Sequence, residues 1–198
     1  MNGFRTAANK DAGFLVPLVS ESSGGVWPAV WRALADAGES VEQSAIRYLT
    51  KPSNKLSVKN TTLAEANDSR VGAMIIYQED PVSLNENDDC DQPPLPRDLF
   101  DALQPYRELS DPNSLFIAEI CLLHKARGQG LGSRFLDYAK KLTIEKKLPR
   151  VSLRVFSANL GAVRLYERNG FQIEDQRPVI AHPDIKIEES VLLMSCSV

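Results

Sequence analysis

Nine consecutive residues, Leu115 to Leu123, hold a single charge, Glu119, and lead almost at once into Arg127-Gly128-Gln129-Gly130-Leu131-Gly132-Ser133. A short apolar run of this kind reads as a central strand covered on both faces. After the glycine turn, Phe135, Leu136, Ala139 and Leu142 fall on one side of a helix, and Lys140, Lys141, Lys146 and Lys147 lie elsewhere on it. Pro149 separates that helix from a second strand, Val151 to Phe156. Strand, glycine turn, helix and strand in this order leave few architectures open, and all of them are α/β.

The rest of the chain is less sharply patterned. A short strand is expected at residues 4–8, then mostly helix from Asp11 to Leu49. Trp27 and Trp31 share one helix face, and Ser40 is a plausible N-cap with Glu42 and Gln43 in the first turn. Two strands are expected at Leu56–Glu65 and Arg70–Tyr77, joined by an Asn67-Asp68-Ser69 turn. Residues 78–113 read as an acidic, proline-rich insertion with one helix near Arg97–Leu103; Glu79, Asp80, Glu86, Asp88, Asp89 and Asp91 crowd it. It is a solvated loop or a negative flap that attracts a cationic substrate. A helix from Asn159 to Arg168 closes at Asn169-Gly170, and strands are expected at Phe171–Glu174 and Ser190–Cys196.

Composition removes several function classes. With 198 residues, 43% hydrophobic and 25% charged, the chain reads as one folded domain over 1–198. A net charge of −3 argues against a broad basic surface for nucleic acid. No run approaches the roughly 20 apolar residues of a membrane span. Three widely spaced cysteines (Cys90, Cys121 and Cys196) and two histidines predict neither a disulfide framework nor a metal site. The expectation is a reduced, soluble, cytoplasmic protein.

The glycine turn before a helix is a ready anion site: the first helical N–H groups lack internal acceptors, the dipole adds positive charge, and Arg127 stands at the mouth. A Walker-type loop would end Gly-Lys-Ser/Thr, but this one ends Gly132-Ser133-Arg134. A dinucleotide turn would place its third glycine where Ser133 stands and an acidic residue where Ser157-Ala158-Asn159 stands. The remaining plain reading is a turn that packs a helix on a sheet.

Arg127-Gly128-Gln129-Gly130-Leu131-Gly132 resembles the acetyl-CoA pyrophosphate loop of the GNAT superfamily of N-acetyltransferases, Gln/Arg-x-x-Gly-x-Gly/Ala, matched at Arg127, Gly130 and Gly132. One helix and one strand later, Asn159-Leu160-Gly161-Ala162-Val163-Arg164-Leu165-Tyr166-Glu167-Arg168-Asn169-Gly170-Phe171 is similar to the family's Asn-x-x-Ala-x-x-Leu-Tyr-x-x-x-Gly-Phe block. The resemblance spans about Ser114 to Glu174. It implies a mixed, mostly antiparallel sheet splayed between two central parallel strands, with helices on both faces.

It further implies acetyl transfer from acetyl-CoA to a primary amine of a small molecule or peptide, without metal or nucleic acid, and a possible homodimer. In this reading the backbone of Ile120, Cys121, Leu122 and Leu123 holds pantetheine, and the Leu122 N–H faces the thioester carbonyl. Arg127 to Ser133 (Gly128, Gln129, Gly130, Leu131 and Gly132 between them) hold the pyrophosphate. Asn159 and Ala162 meet the pantetheine arm, and Tyr166 protonates the leaving thiolate. Glu119, read as the charged member of the face Leu115, Ile117, Glu119, Cys121 and Leu123, is a general base, an anchor for a cationic substrate, or an ion-pair partner of Arg154. A non-catalytic acyl-CoA-binding module on the same fold is the alternative.

Overall fold

The computed structural model describes residues 3–79, 95–186 and 189–198. Strand β1 (Gly3–Thr6) leads into helices α1 (Ala12–Ser22), α2 (Val26–Ala33) and α3 (Val41–Thr50). The hairpin β2 (Thr61–Ala66) and β3 (Ser69–Gln78) follows, then the short helices α4 (Arg97–Ala102) and α5 (Gln104–Glu108). The second half runs β4 (Leu115–Leu122), α6 (Leu131–Glu145), β5 (Arg150–Phe156), α7 (Leu160–Arg168), β6 (Gln172–Pro178) and β7 (Ser190–Ser197). Among the described residues no helix is long and apolar enough to cross a membrane.

The strands form one seven-stranded sheet in the order β1-β2-β3-β4-β5-β7-β6. Every neighbouring pair is antiparallel except β4 and β5. Phe135, Leu136 and Ala139 of α6 and Tyr166 of α7 pack on one face with Met74, Ile117, Leu153 and Met194. Leu15, Val19, Trp31, Ala45 and Leu49 of the first three helices cover the other, over Leu63, Ala73, Ile75 and Cys121.

Local chemistry accounts for the elements. Ser40 caps α3 reciprocally: its Oγ accepts the Gln43 N–H at 3.2 Å, and the Gln43 side-chain oxygen accepts the Ser40 N–H at 2.8 Å. Asn67 and Asp68 carry the β2–β3 turn with φ of 49° and 58°, the left-handed pair of a tight hairpin. The strand expected from Leu56 begins only at Thr61. Leu56 and Val58 instead belong to a turn that tucks both side chains against the first three helices, so their apolar character reflects that burial.

Of the insertion read at 78–113, residues 80–94 lie outside the described residues. Glu79 is not part of a solvated flap: it is buried, and its carboxylate accepts the Asp111 N–H at 2.9 Å.

Two departures in β4 shape the middle of the sheet. The β4–β5 ladder holds only three pairs, Leu115↔Val151, Phe116↔Ser152 and Ile117↔Leu153, with the Ser114 and Ser152 hydroxyls in buried contact at its foot. Beyond it β5 stays with β7 and β4 with β3, and the sheet opens between them. Burial on both faces therefore holds for Leu115 to Ile117, whereas Ala118, Glu119 and Ile120 are half-buried.

The second departure is a bulge. Ile75 faces Glu119 while the next residue, Ile76, faces Ile117, which leaves Ala118 as an extra residue on β4. The alternation breaks there, so Glu119 and Cys121 do not share a face with Leu115 and Ile117. They point toward α1 and α2.

Candidate active site

The opening between β4 and β5 widens into a cavity of about 760 Å³. Glu119, Ile120, Cys121 and Leu122 of β4 line it. Arg127, Gly128, Gly130, Leu131, Gly132 and Ser133 line it from the loop and α6, and Asn159, Ala162 and Tyr166 from α7 and its cap. Two of the expected residues stand apart. The Leu123 N–H donates to the Val71 carbonyl at 3.0 Å, and the Gln129 side chain turns back to the Lys125 carbonyl at 2.8 Å.

The backbone of β4 supplies directed donors. Strand N–H groups alternate in direction, and that of Leu123 points to β3. Those of Ile120 and Leu122 therefore point into the gap, past the last β5 pair. The Leu122 carbonyl is on the same side, where it accepts from Arg127 Nε at 3.2 Å.

The loop ends at the head of α6. Gly128 and Gly130 have φ of 72° and 77°, left-handed values that side-chain-bearing residues rarely adopt. Gly132 has a different reason: a Cβ there would lie 2.7 Å from Leu165 Cδ2, so its absence lets α6 close on α7. The N–H groups of the first turn of α6 face the cavity mouth without intrahelical acceptors. Arg127 stands beside them, its Nη2 2.5 Å from Glu21 Oε1 at the end of α1. Asn159 caps α7, its side-chain oxygen accepting the Ala162 N–H at 3.2 Å.

At the other end of the cavity, Glu119 accepts from Ser22 Oγ at 2.6 Å on Oε2 and from Trp27 Nε1 at 3.1 Å on Oε1. It makes no ion pair with Arg154. Desolvation pushes the carboxyl from its ordinary 4.5 to about 7; the Ser22 and Trp27 donors and the more distant Arg154 charge act the other way. Tyr166 is buried against Phe171, ring centroids 5.9 Å apart, and its phenol is raised well above 10 by burial and then by the Glu119 charge. Burial likewise raises the Cys121 thiol, which contacts Ser22 Oγ at 3.1 Å. A thiol so placed is held in its protonated form and packs in the core beneath α1.

Ser22 and Glu21 enter the site without having been singled out for it, and Trp27 joins them from the helix face it shares with Trp31. The small polar run Ser22-Ser23-Gly24-Gly25 marks a helix break, and the i, i+4 pair Trp27 and Trp31 marks one face. Nothing local ties either to a carboxylate 97 residues further along the chain from Ser22. The two tryptophans also differ: Trp31 is wholly buried, and Trp27 turns its N–H to Glu119.

Ser22→Ala removes a donor that favours the carboxylate over the acid, so the Glu119 titration point is expected to rise. A carboxyl-carbon NMR titration measures it; an unmoved midpoint would show that the hydroxyl does not tune this group. Among the described residues, no group of three His, Cys, Asp or Glu is placed to hold a metal ion.

The model of the Acetyltransferase (GNAT) family matches residues 27–171. Among solved structures, the chain is similar to an N-acetyltransferase from Staphylococcus aureus Mu50, with 16% identity over 98% of this chain and 99% of that one and a TM-score of 0.66. It is also similar to an acetyltransferase of the GNAT family from Streptococcus pneumoniae, with 21% identity over 100% and 99% and a TM-score of 0.57. A third structure, described as an acetyltransferase, has 17% identity over 99% of both chains and a TM-score of 0.67.

Proposed function

The chain belongs to the GNAT acetyltransferase family, and from that premise we propose that it is a single acetyltransferase domain moving the acetyl group of acetyl-CoA to a primary amine. The observation that carries this reading is the opening of β4 from β5, which turns a free strand edge toward a cavity ending at the glycine turn and the head of α6. A long, thin molecule with amide groups at one end and phosphates at the other fits that donor set. The Ile120 backbone takes an amide and leaves the Leu122 N–H for the thioester; the first N–H groups of α6, with Arg127, take the phosphates. Asn159 and Ala162 flank the arm.

Acetyl-CoA supplies an activated thioester carbonyl; the chain supplies position and protons. The Glu119 carboxylate accepts the proton that a substrate ammonium must lose before its lone pair reaches the carbonyl carbon. As the C–N bond forms, the Leu122 N–H donates to the developing oxyanion, a stabilisation of about 3 kcal/mol in comparable sites. As the C–S bond breaks, the Tyr166 phenol donates its proton to the departing sulfur.

The first test is thermal melting of the protein with acetyl-CoA, CoA or NADH. At about 100 times its dissociation constant a bound ligand adds about 2.7 kcal/mol to stability, so Tm rises with acetyl-CoA and CoA and stays put with NADH. An unmoved Tm with acetyl-CoA would return the glycine turn to a packing role. The second step is free-thiol release over a panel of amines.

A further inference from the structure

We propose that the acceptor is a zwitterion, an amine whose molecule also carries a carboxylate a few bonds away, as in a free amino acid, and that Arg154 receives that carboxylate. The inference rests on the transferase reading above and names its substrate class.

Glu119 and Arg154 line the same cavity from the two strands that part, each just beyond the last ladder pair, Ile117↔Leu153. The β4 bulge puts Glu119 on the α1–α2 face, and Arg154 lies there too. Its guanidinium sits 4.5 Å over the ring of Phe116, which packs in turn on Tyr77. Opposite charges on neighbouring strands ordinarily pair, yet here each is tied back by something else. Glu119 is held by the uncharged donors of Ser22 and Trp27.

Arg154 Nη1 donates to the Tyr106 carbonyl on α5. Its only ion-pair contact among the described residues is Glu79 at 3.9 Å, the long limit of such a contact, and Glu79 gives its other oxygen to the Asp111 N–H. The splay thus keeps a negative and a positive group apart on one wall. A carboxylate as buried as Glu119 without an ionic partner is costly, and a ligand bearing both signs brings an ammonium to it and a carboxylate to the Arg154 guanidinium. An ammonium at Glu119 is where the base needs it. A carboxylate at Arg154 then fixes the second point of the acceptor, a geometry to which the planar guanidinium is suited. Two further arginines line the cavity: Arg127 is paired with Glu21 at the phosphate end, and Arg168 enters from the last residue of α7.

The experiment compares kcat/KM for matched acceptors, each amino acid against its own carboxamide, with acetyl-CoA as donor. An amide has the less basic amine, so its chemistry favours it, and a preference for the acid reports recognition. The wild-type protein is expected to prefer the acids at least about tenfold, the size of one charged hydrogen-bonding contact. In Arg154→Gln that ratio falls toward one through a raised KM for the acids, and Arg154→Lys recovers part of it.

Amides accepted as well as acids by the wild-type protein, or a ratio unchanged in Arg154→Gln, overturns the inference and leaves the transferase reading standing. No turnover with any amine overturns both. Should Arg154→Gln fail to fold, the wild-type acid-to-amide ratio decides alone.

Discussion

Glu119→Gln is expected to lower kcat/KM about a hundredfold at pH 8, within the range supplied by a positioned proton acceptor. Gln keeps the volume and an oxygen for Ser22 or Trp27, so the loss isolates the ionisable group. The wild-type protein should show kcat/KM rising through about pH 7 as the carboxyl ionises, and the variant should lack that limb. The same titration has a stability sign. The folded value lies above the ordinary 4.5, so the folded state holds the proton more tightly than the unfolded one. That contribution is complete below 4.5 and is lost as pH climbs through about 7. The Tm of the wild-type protein relative to Glu119→Gln therefore falls across this window. A pH–rate profile with the limb intact in the variant would assign the base elsewhere. An unchanged kcat with a raised amine KM would make Glu119 an anchor.

Tyr166→Phe is expected to lower kcat by about a hundredfold while leaving the acetyl-CoA dissociation constant unchanged. Only the hydroxyl is lost, since the ring stays packed on Phe171 in the same cluster as Phe135 and Leu153. The phenol is raised above its usual 10, first by burial and then by Glu119, so it keeps its proton across any practical assay range and adds no basic limb below pH 10. Single-turnover thiol release reads kcat, and calorimetry reads binding. An unchanged kcat would reduce Tyr166 to a core aromatic. Binding without turnover in the wild-type protein itself would favour a non-catalytic acyl-CoA module.

How much of this was legible in the chain depends on the range over which each feature is set. Ser40 with Gln43, the Asn67-Asp68 turn and the Gly170 stop are decided by a few adjacent residues, and each stands where local reading puts it. The turn Arg127–Gly132 and the Asn159–Phe171 block are legible for the same reason: left-handed φ at Gly128 and Gly130 and a capping oxygen at Asn159 leave marks in the sequence. The strand over Leu56–Asn60 is the opposite case. Apolar residues there are buried by packing against distant helices, and burial alone does not distinguish a strand from a tucked turn.

The mixed α/β architecture, the glycine turn at the head of α6 and the family are thus readable from the chain without its fold, because they rest on periodicity, backbone conformation and short motifs. Tertiary structure alone decided which way Glu119 faces, what holds it, and what Arg154 does. A one-residue bulge at Ala118 reverses the strand alternation, and pairing of β4 with β5 stops after three residues. As a result the Glu119–Arg154 pair, one of the three readings of Glu119, gives way to Ser22 and Trp27 on one side and to Tyr106, Phe116 and Glu79 on the other. Those partners come from elements far away in the chain, and the energies that select them are non-local contacts no window of sequence contains.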